Sequence, residues 1–245
     1  MAILETLATQ WETERLLFRR FTPGDAPLLV VLDSDPEVMR FLTGGAPTPC
    51  DVIERDILPR FLGESERHPV FGFWAVLEKS SGVFVGWLSF RPAAESDPTT
   101  VELGYRIRRI SWGRGVATEG ANALIRRGFA ELGVQRVVAT TYEENRASHH
   151  VMEKLGLTLV RSYRLTTQEL TVETTFEGEA AKLFEGLDVD YALTKEDWMH
   201  QRTQLGAVPG FDLAVGAEPN GIPPETSSDP PITRQPAPLN SYFRV

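Results

Sequence analysis

Two glycines, Gly113 and Gly115, lie two residues apart in the stretch SWGRGVATEG, between a predicted strand and a predicted helix. The backbone N–H groups at a helix N-terminus are unpaired and carry a partial positive charge, so this position suits an anion such as a phosphate. Glycine lets such an anion approach the backbone, but it also serves a tight turn that needs a positive φ. The stretch therefore indicates either a phosphate-binding loop or a structural turn.

Two common types of phosphate loop fit the sequence poorly. The P-loop pattern G-x-x-x-x-G-K-[ST] does not occur. A dinucleotide loop, G-x-G-x-x-G, would need glycine at the position of Thr118. The preceding stretch VELGYRIR alternates apolar and polar residues like a strand buried on one face, whereas a dinucleotide fold normally starts on a strand buried on both faces. The acidic pair Glu143 and Glu144 after the next strand is the feature that favours a dinucleotide site.

The elements that must position this loop follow from hydrophobic periodicity and from the turn residues. Helices are predicted over residues 23–32, 36–42, 51–62, 115–132 and 145–156. Strands are predicted over residues 15–21, 71–78, 83–91, 100–108, 134–142, 157–165 and 190–194. This order predicts an α/β (α+β) fold, with a mixed, mostly antiparallel twisted sheet flanked by helices. The strands at 100–108 and 134–142 are joined by a helix and should be parallel neighbours.

Composition restricts the class of protein. Of the 245 residues, 42% are hydrophobic, which predicts a substantial core. The net charge of −9 argues against a nucleic-acid binder. The single cysteine, Cys50, excludes an internal disulfide, and no apolar run is long enough to span a membrane. We therefore expect a cytoplasmic protein with no nucleic-acid or membrane partner. Residues 1–202 read as one domain, and the proline-rich residues 203–245 read as a flexible tail.

Five ordered motifs make the chain resemble the GNAT acyltransferase superfamily over about residues 12–200, and within it the RimJ/RimL-like branch. The motifs are PEVMRFL (36–42), VELGYRIRR (101–109), WGRGVATEG (112–120), NRASHHVMEKLGL (145–157) and DYALTKEDW (190–198). The resemblance implies a GNAT fold and an enzyme that moves an acetyl group from acetyl-CoA directly to an amine, on a protein N-terminus or a small molecule. It is also compatible with a homodimer. Two alternatives stay open: a GNAT-like module that binds an acyl-CoA or a partner without turnover, and a transferase for a longer acyl-CoA such as succinyl-CoA.

The resemblance also implies which residues hold the coenzyme. The family loop reads [Q/R]-x-x-G-x-[G/A], and Trp112 stands where glutamine or arginine is usual. Thr118 could add a hydroxyl contact, and Asn145 matches the family asparagine that bonds the pantetheine arm, although an asparagine here could equally cap a helix. The pyrophosphate is expected at the backbone of Gly113, Arg114, Gly115, Val116 and Ala117, and the pantetheine arm at the splayed strand end of Ile107, Arg108 and Arg109.

The chemistry needs a base, because an amine must lose a proton before it can attack a thioester, and amine pKa values lie at about 8 to 10.4. Glu102 is the candidate base, and its alternative is an exposed strand glutamate. Tyr105 should point to the opposite side of the same strand. Met152 replaces the usual tyrosine that protonates the thiolate, so Ser148 is the remaining candidate donor, unless it only packs. Phe41 is expected to border the acceptor site.

An acidic insertion at about residues 166–189 lengthens the connection between the last two strands. Residues 168–190 hold seven acids and one lysine, a net charge of −6. We hypothesise that the insertion selects a cationic acceptor, and a purely solvated loop is the alternative. The neighbours His149 and His150 point about 100° apart on a helix, so they cannot chelate one metal ion and are expected on a solvated face. No metal site is predicted.

Overall fold

The computed structural model describes residues 10–164 and 186–206. Its strands are β1 Gln10–Glu12, β2 Leu16–Arg19, β3 Gly72–Glu78, β4 Phe84–Ala94, β5 Asp97–Ile107, β6 Arg136–Tyr142, β7 Thr158–Tyr163 and β8 Asp188–Thr194. Its α-helices are α1 Ala26–Asp33, α2 Pro36–Thr43, α3 Cys50–Val52, α4 Leu58–Arg67, α5 Val116–Glu131, α6 Arg146–Lys154 and α7 Lys195–Gly206. A π-helical turn, Ile53–Ile57, joins α3 to α4, and 3-10 turns cover Pro23–Asp25 and Arg109–Ser111.

The strands form one sheet in the order β1-β2-β3-β4-β5-β6-β8-β7. Every neighbouring pair is antiparallel except β5 and β6, which are parallel. The predicted mixed, mostly antiparallel α/β fold and the predicted parallel pair are therefore confirmed. The parallel pairing covers only three residue pairs, from Thr100 with Arg136 to Glu102 with Val138. Beyond Glu102, β5 stays paired with β4 and parts from β6, which leaves a gap in the sheet.

The sheet separates two hydrophobic layers. One face packs against α5 and α6, and its cluster contains Tyr105 and Ile107 of β5 together with Met152 of α6. The other face packs against α1 and α4, around Phe61, Phe73 and Trp87. Because successive strand residues point to opposite faces, Glu102 lies on the α1–α4 side of β5 while Tyr105 lies on the α5–α6 side.

Several boundaries differ from the sequence prediction. The predicted helix over 51–62 is part of a longer helical segment, Cys50–Arg67, in which the π-helical turn Ile53–Ile57 is followed by Pro59 in the first turn of α4. Strand β5 ends at Ile107, so Arg109, which was expected at the splayed end of the strand, lies in a 3-10 turn instead. Strand β1 and helix α7 were not predicted, because a strand of three residues and a helix with polar residues on all sides carry little periodic signal.

The acidic insertion and the tail fall mainly on residues 165–185 and 207–245, which lie outside the described residues. At their edges, Asp188 and Val189 belong to β8, and α7 runs past the expected boundary at residue 203 to Gly206. Within the described ranges, no helix is long and apolar enough to cross a membrane.

Helix α5 lies close to the sheet because two of its glycines face large side chains of the core. A Cβ at Gly128 would lie 2.6 Å from the Phe90 ring, and a Cβ at Gly120 would lie 3.0 Å from Phe18. The two glycines therefore set a short distance between α5 and strands β2 and β4.

We expect Gly128→Ala to destabilise the fold by about 1 to 3 kcal/mol, because the added methyl group overpacks the core beside Phe90. Gly63→Ala on α4 is the matched control, since a Cβ there meets no atom within 4 Å and alanine favours a helix. Urea unfolding of both variants measures the difference. Equal effects of the two changes would contradict this account of how α5 packs.

Candidate active site

The gap between β5 and β6 exposes the backbone edge of β5. The N–H of Arg108 donates to the carbonyl of Val85 on β4 at 2.8 Å. Because backbone groups in an antiparallel pair alternate between the two edges, those of Tyr105 and Ile107 face the gap. The indole N–H of Trp112 donates to the Ile107 carbonyl at 2.7 Å, so this one acceptor is already used. The N–H groups of Tyr105 and Ile107 thus line the gap as a short open ladder.

The glycine loop crosses the top of this gap. Gly113 and Gly115 both have positive φ, +71° and +77°, and a Cβ at Gly113 would meet no atom within 4 Å. The backbone conformation alone therefore explains the two glycines, and the space in front of Gly113 is open. Gly115 directly precedes the first residue of α5, Val116, so the unpaired N–H groups of the first helical turn face that space.

Ion pairs fix the loop from outside. The Arg15 guanidinium donates to the carbonyl of Arg114 at 2.9 Å and to Glu119 of α5 at 2.6 Å. The guanidinium of Arg114 pairs with Glu78 on β3 at 2.5 Å. The side chain of Arg114 is thereby directed away from the open space, and only its backbone stays with the loop.

A cavity of about 550 Å³ lies between α2, the end of β5, the glycine loop and α6. Ten residues predicted from the sequence line it: Phe41, Ile107, Trp112, Gly113, Gly115, Val116, Ala117, Thr118, Asn145 and Ser148. Four others do not: Glu102, Arg108, Arg109 and Arg114. Arg108 donates to the carbonyl of Phe84, and Arg109 pairs with Asp35, so both side chains serve the protein itself.

Glu102 lies at the base of the gap, because it is the last residue of β5 that pairs with β6. Its carboxylate accepts a hydrogen bond from Arg91 on β4 at 2.9 Å, and both side chains are nearly buried. A second arginine is close: burial and the neighbouring Arg91 lower the pKa of Arg60 to about 10, and Glu102 acts in the opposite direction. Glu102 is therefore not an exposed strand glutamate, but it faces the side of the sheet opposite Tyr105.

The possible proton donors stand at the start of α6. Ser148 is 6% exposed and lines the cavity, while Met152 is fully buried in the core and takes no part. The Tyr105 hydroxyl donates to the backbone carbonyl of Ser148 at 3.4 Å, across the gap. Burial raises the pKa of Tyr105, so the phenol keeps its proton at neutral pH. Tyr105 was not predicted as a site residue, although strand alternation placed it opposite Glu102.

Two side chains hold the first turn of α6. Asn145 accepts from the N–H of Ser148 at 3.3 Å and donates to Thr141 at 3.1 Å, so it caps the helix and also lines the cavity. His149 is buried, which corrects the expected solvated position. Its Nε2 lies 3.1 Å from the carbonyl of Tyr142, which can only accept, so Nε2 carries the proton. His150 is exposed and lines the cavity.

The described part of the chain, without residues 165–185 and the two termini, contains no group of three or more His, Cys, Asp or Glu that could hold a metal ion. Two of the seven acids counted in the insertion, Asp188 and Asp190, lie on β8. Asp188 is 2% exposed, and Asp190 accepts from Thr140 and Arg161 at 2.7 Å each. These two acids therefore stabilise the sheet, and the others lie outside the described residues.

A model of the acetyltransferase (GNAT) domain family matches residues 15–158, more than half of the chain. The chain belongs to the GNAT acetyltransferase family. It is 33% identical over 184 residues to the FsC-acetyl coenzyme A-N(2)-transacetylase of Aspergillus fumigatus, and the match covers 70% of each chain. It is 28% identical over 165 residues to the uncharacterized protein YkkB of Bacillus subtilis, with 67% of this chain and 94% of that one covered. The predicted enzyme class is thereby confirmed.

Solved structures share the GNAT fold. A GNAT acetyltransferase from Bacillus anthracis superposes with a TM-score of 0.61 at 23% identity, over 77% of this chain and 99% of that one. The ribosomal-protein-S5-alanine acetyltransferase from Vibrio fischeri superposes with a TM-score of 0.55 at 17% identity, over 78% and 98% of the two chains. Acetyl-CoA is the co-substrate of GNAT acetyltransferases, and the open space before Gly113 and the open edge of β5 fit such a molecule.

Two ion pairs, one buried and one partly exposed, hold the wall that α2 contributes to the GNAT cavity. Arg106 of β5 pairs with Asp33 at the end of α1 at 2.7 Å, and both side chains are almost fully buried. Thr48 donates to the second oxygen of Asp33 at 3.0 Å. Two residues later, Asp35 pairs with Arg109 at 3.0 Å. These pairs could not be predicted from the sequence, because the partners are more than 70 residues apart.

We expect Asp33→Asn to destabilise the protein by about 3 to 5 kcal/mol, because it leaves the buried Arg106 without its counter-charge. Asp51→Asn is the control: it breaks an exposed pair with Arg55 and should leave the unfolding transition unchanged. Thermal or urea unfolding of both variants measures the two changes in stability. Wild-type stability of Asp33→Asn would show that this pair does not hold the α1–α2 wall.

Proposed function

We propose that this GNAT chain transfers an acetyl group from acetyl-CoA directly to the primary amine of a small molecule. The observation that carries the proposal is that the N-terminus of α5 and the end of β5, where β5 has parted from β6, line the same cavity. The first turn of α5 offers unpaired N–H groups for a pyrophosphate. The N–H groups of Tyr105 and Ile107 offer partners for an amide-rich arm that extends the ladder of β5.

Acetyl-CoA supplies an acyl thioester when it is bound, and the residues of the chain orient it and exclude water. An N–H group on the open edge of β5 is suited to hydrogen-bond the thioester oxygen as charge develops on it. Ser148 and the protonated Tyr105 are the hydroxyl groups at the start of α6 that can stabilise a departing thiolate. Most of the rate enhancement is expected from the fixed positions of the two reactants.

The relatives support a small-molecule amine more than a protein N-terminus. The Aspergillus fumigatus relative acts, by its name, at an N(2) nitrogen, and it shares 33% identity over 70% of both chains. The structure named for ribosomal protein S5 shares 17% identity, which supports the fold alone. An N(2)-type primary amine is therefore the proposed acceptor. The RimJ/RimL-like branch, with a protein N-terminus as acceptor, is the second candidate.

We expect acetyl-CoA to raise the thermal stability of the protein, by about 2.7 kcal/mol at a hundredfold excess over Kd. Thiol release from acetyl-CoA should be fastest with the free α-amines of small amino-acid derivatives, and slower both with lysine-type side-chain amines and with the α-amines of peptide N-termini. Stabilisation without thiol release on any amine would favour a non-catalytic acyl-CoA-binding module. Faster release from succinyl-CoA would indicate a longer acyl donor.

Glu102 stays the proposed base, and its position sets a condition on the acceptor. Glu102 faces α1–α4, so the amine must reach the base of the gap from that side while the thioester occupies the α5–α6 side. The positive charges of Arg91 and Arg60 lie near Glu102. Positive neighbours favour the neutral form of an amine, which is the form that attacks.

We expect Glu102→Gln to lower kcat about a hundredfold at neutral pH and much less at high pH, where solvent already removes the proton from the amine. Arg91→Gln is the matched variant, because it breaks the same ion pair and keeps the carboxylate. The pH profiles of kcat for both variants give the measurement. If Glu102→Gln lowered kcat by the same factor at every pH, Glu102 would have a structural role only.

Three further expectations concern the protein in the cell and stay predictions. They are a cytoplasmic location, a homodimeric state, and selection of a cationic acceptor by the acids of residues 165–185. The hypothesis of a cationic acceptor is compatible with an N(2)-type amine, because such amines are largely protonated in neutral solution before they bind.

A further inference from the structure

The wall that α6 contributes to the cavity carries three basic side chains, Arg146, His150 and Lys154, at intervals of four residues. Residues four apart lie on successive turns of one helix face. With a rise of about 1.5 Å per residue, the three side chains span roughly 12 Å along the helix. All three are exposed and line the cavity, so they form a basic stripe on α6.

The stripe differs from the arginines around the glycine loop. Arg15 is paired with Glu119, Arg114 with Glu78 and Arg109 with Asp35. In the part of the chain that the structure describes, no ion pair joins a residue of the basic stripe to a carboxylate. Two acids, Glu37 and Glu144, also line the cavity. In a chain with a net charge of −9, an unneutralised basic wall beside the glycine loop indicates an anionic ligand group.

We infer that the basic stripe binds the 3′-phosphate of coenzyme A, and this inference rests on the proposed function. The diphosphate and the 3′-phosphate of coenzyme A are attached to the same ribose. A diphosphate at the N-terminus of α5 therefore places the 3′-phosphate within one sugar of the glycine loop. The α6 wall borders the same cavity, so its basic groups are within reach of that second anion.

The chemistry of the three side chains suits a phosphate monoester. Such a group carries a charge of about −1.5 to −2 at pH 7 and three acceptor oxygens. The guanidinium of Arg146 can donate two parallel hydrogen bonds, and Lys154 contributes a compact positive charge. The His150 ring has a donor N–H in either protonation state. The stripe thereby distinguishes coenzyme A from nucleotides that lack a 3′-phosphate.

The test compares the binding of CoA and of 3′-dephospho-CoA to the full chain by isothermal titration calorimetry. We expect the wild-type protein to bind CoA about tenfold more tightly than 3′-dephospho-CoA, because charge-assisted hydrogen bonds are lost with the phosphate. The double variant Arg146→Gln/Lys154→Gln should lose this preference through weaker CoA binding and keep its affinity for 3′-dephospho-CoA. Arg126→Gln is the charge-matched control, since Arg126 is exposed on α5 and does not line the cavity.

The outcomes separate the inference from the proposed function. Equal binding of the two ligands to the wild-type protein would overturn the inference and leave acetyl-CoA binding intact, and this comparison needs no variant. If Arg126→Gln lost the preference for CoA to the same extent, the effect would come from overall charge, and this result would also overturn the inference. Binding of neither ligand would contradict the proposed donor, and the inference with it.

Discussion

The divergence of β5 and β6 after three residue pairs determines where the candidate active site lies. Because the two strands are parallel, their carboxyl ends meet at the same end of the sheet, and α5 and α6 both begin there. Two unrelated sequence features, the glycine loop and the asparagine cap, become neighbours for this reason. The same divergence leaves the backbone of Tyr105 and Ile107 without a strand partner. Loop, cap and open edge are thus consequences of one shortened ladder.

A gap in a sheet removes hydrogen bonds, and side chains hold the surrounding elements instead. Tyr105 reaches across the gap to the backbone of α6, and Trp112 binds the carbonyl of Ile107. The buried pair of Asp33 and Arg106 fixes α1 to the end of β5. These contacts join elements that the ladder no longer joins. Each of them is buried or half-buried, where a hydrogen bond is difficult to break without a replacement.

The sequence predicts the periodic parts of this protein well. Strand alternation and the helix after β5 were sufficient for the parallel pair, and the five motifs were sufficient for ten of the residues that line the cavity. The alternation of residues along β5 does not show which face of the strand borders the cavity. It therefore could not predict that Tyr105 lines the cavity and that Glu102 does not. Nor could it find the burial of His149, because the partner, Tyr191, lies 42 residues further along the chain. Partners distant in sequence come together only when the sheet is assembled.

In the proposed reaction, the two faces of the sheet carry different parts of the chemistry. The α5–α6 face holds the glycine loop and the basic stripe, which suit an anionic donor. The α1–α4 face holds Glu102 with its arginines, which suits an amine that must become neutral. The faces communicate only where β5 and β6 part, so donor and acceptor can meet there and nowhere else along the described sheet. Acceptor identity can therefore change through the α1–α4 side without any change in the residues that face the coenzyme.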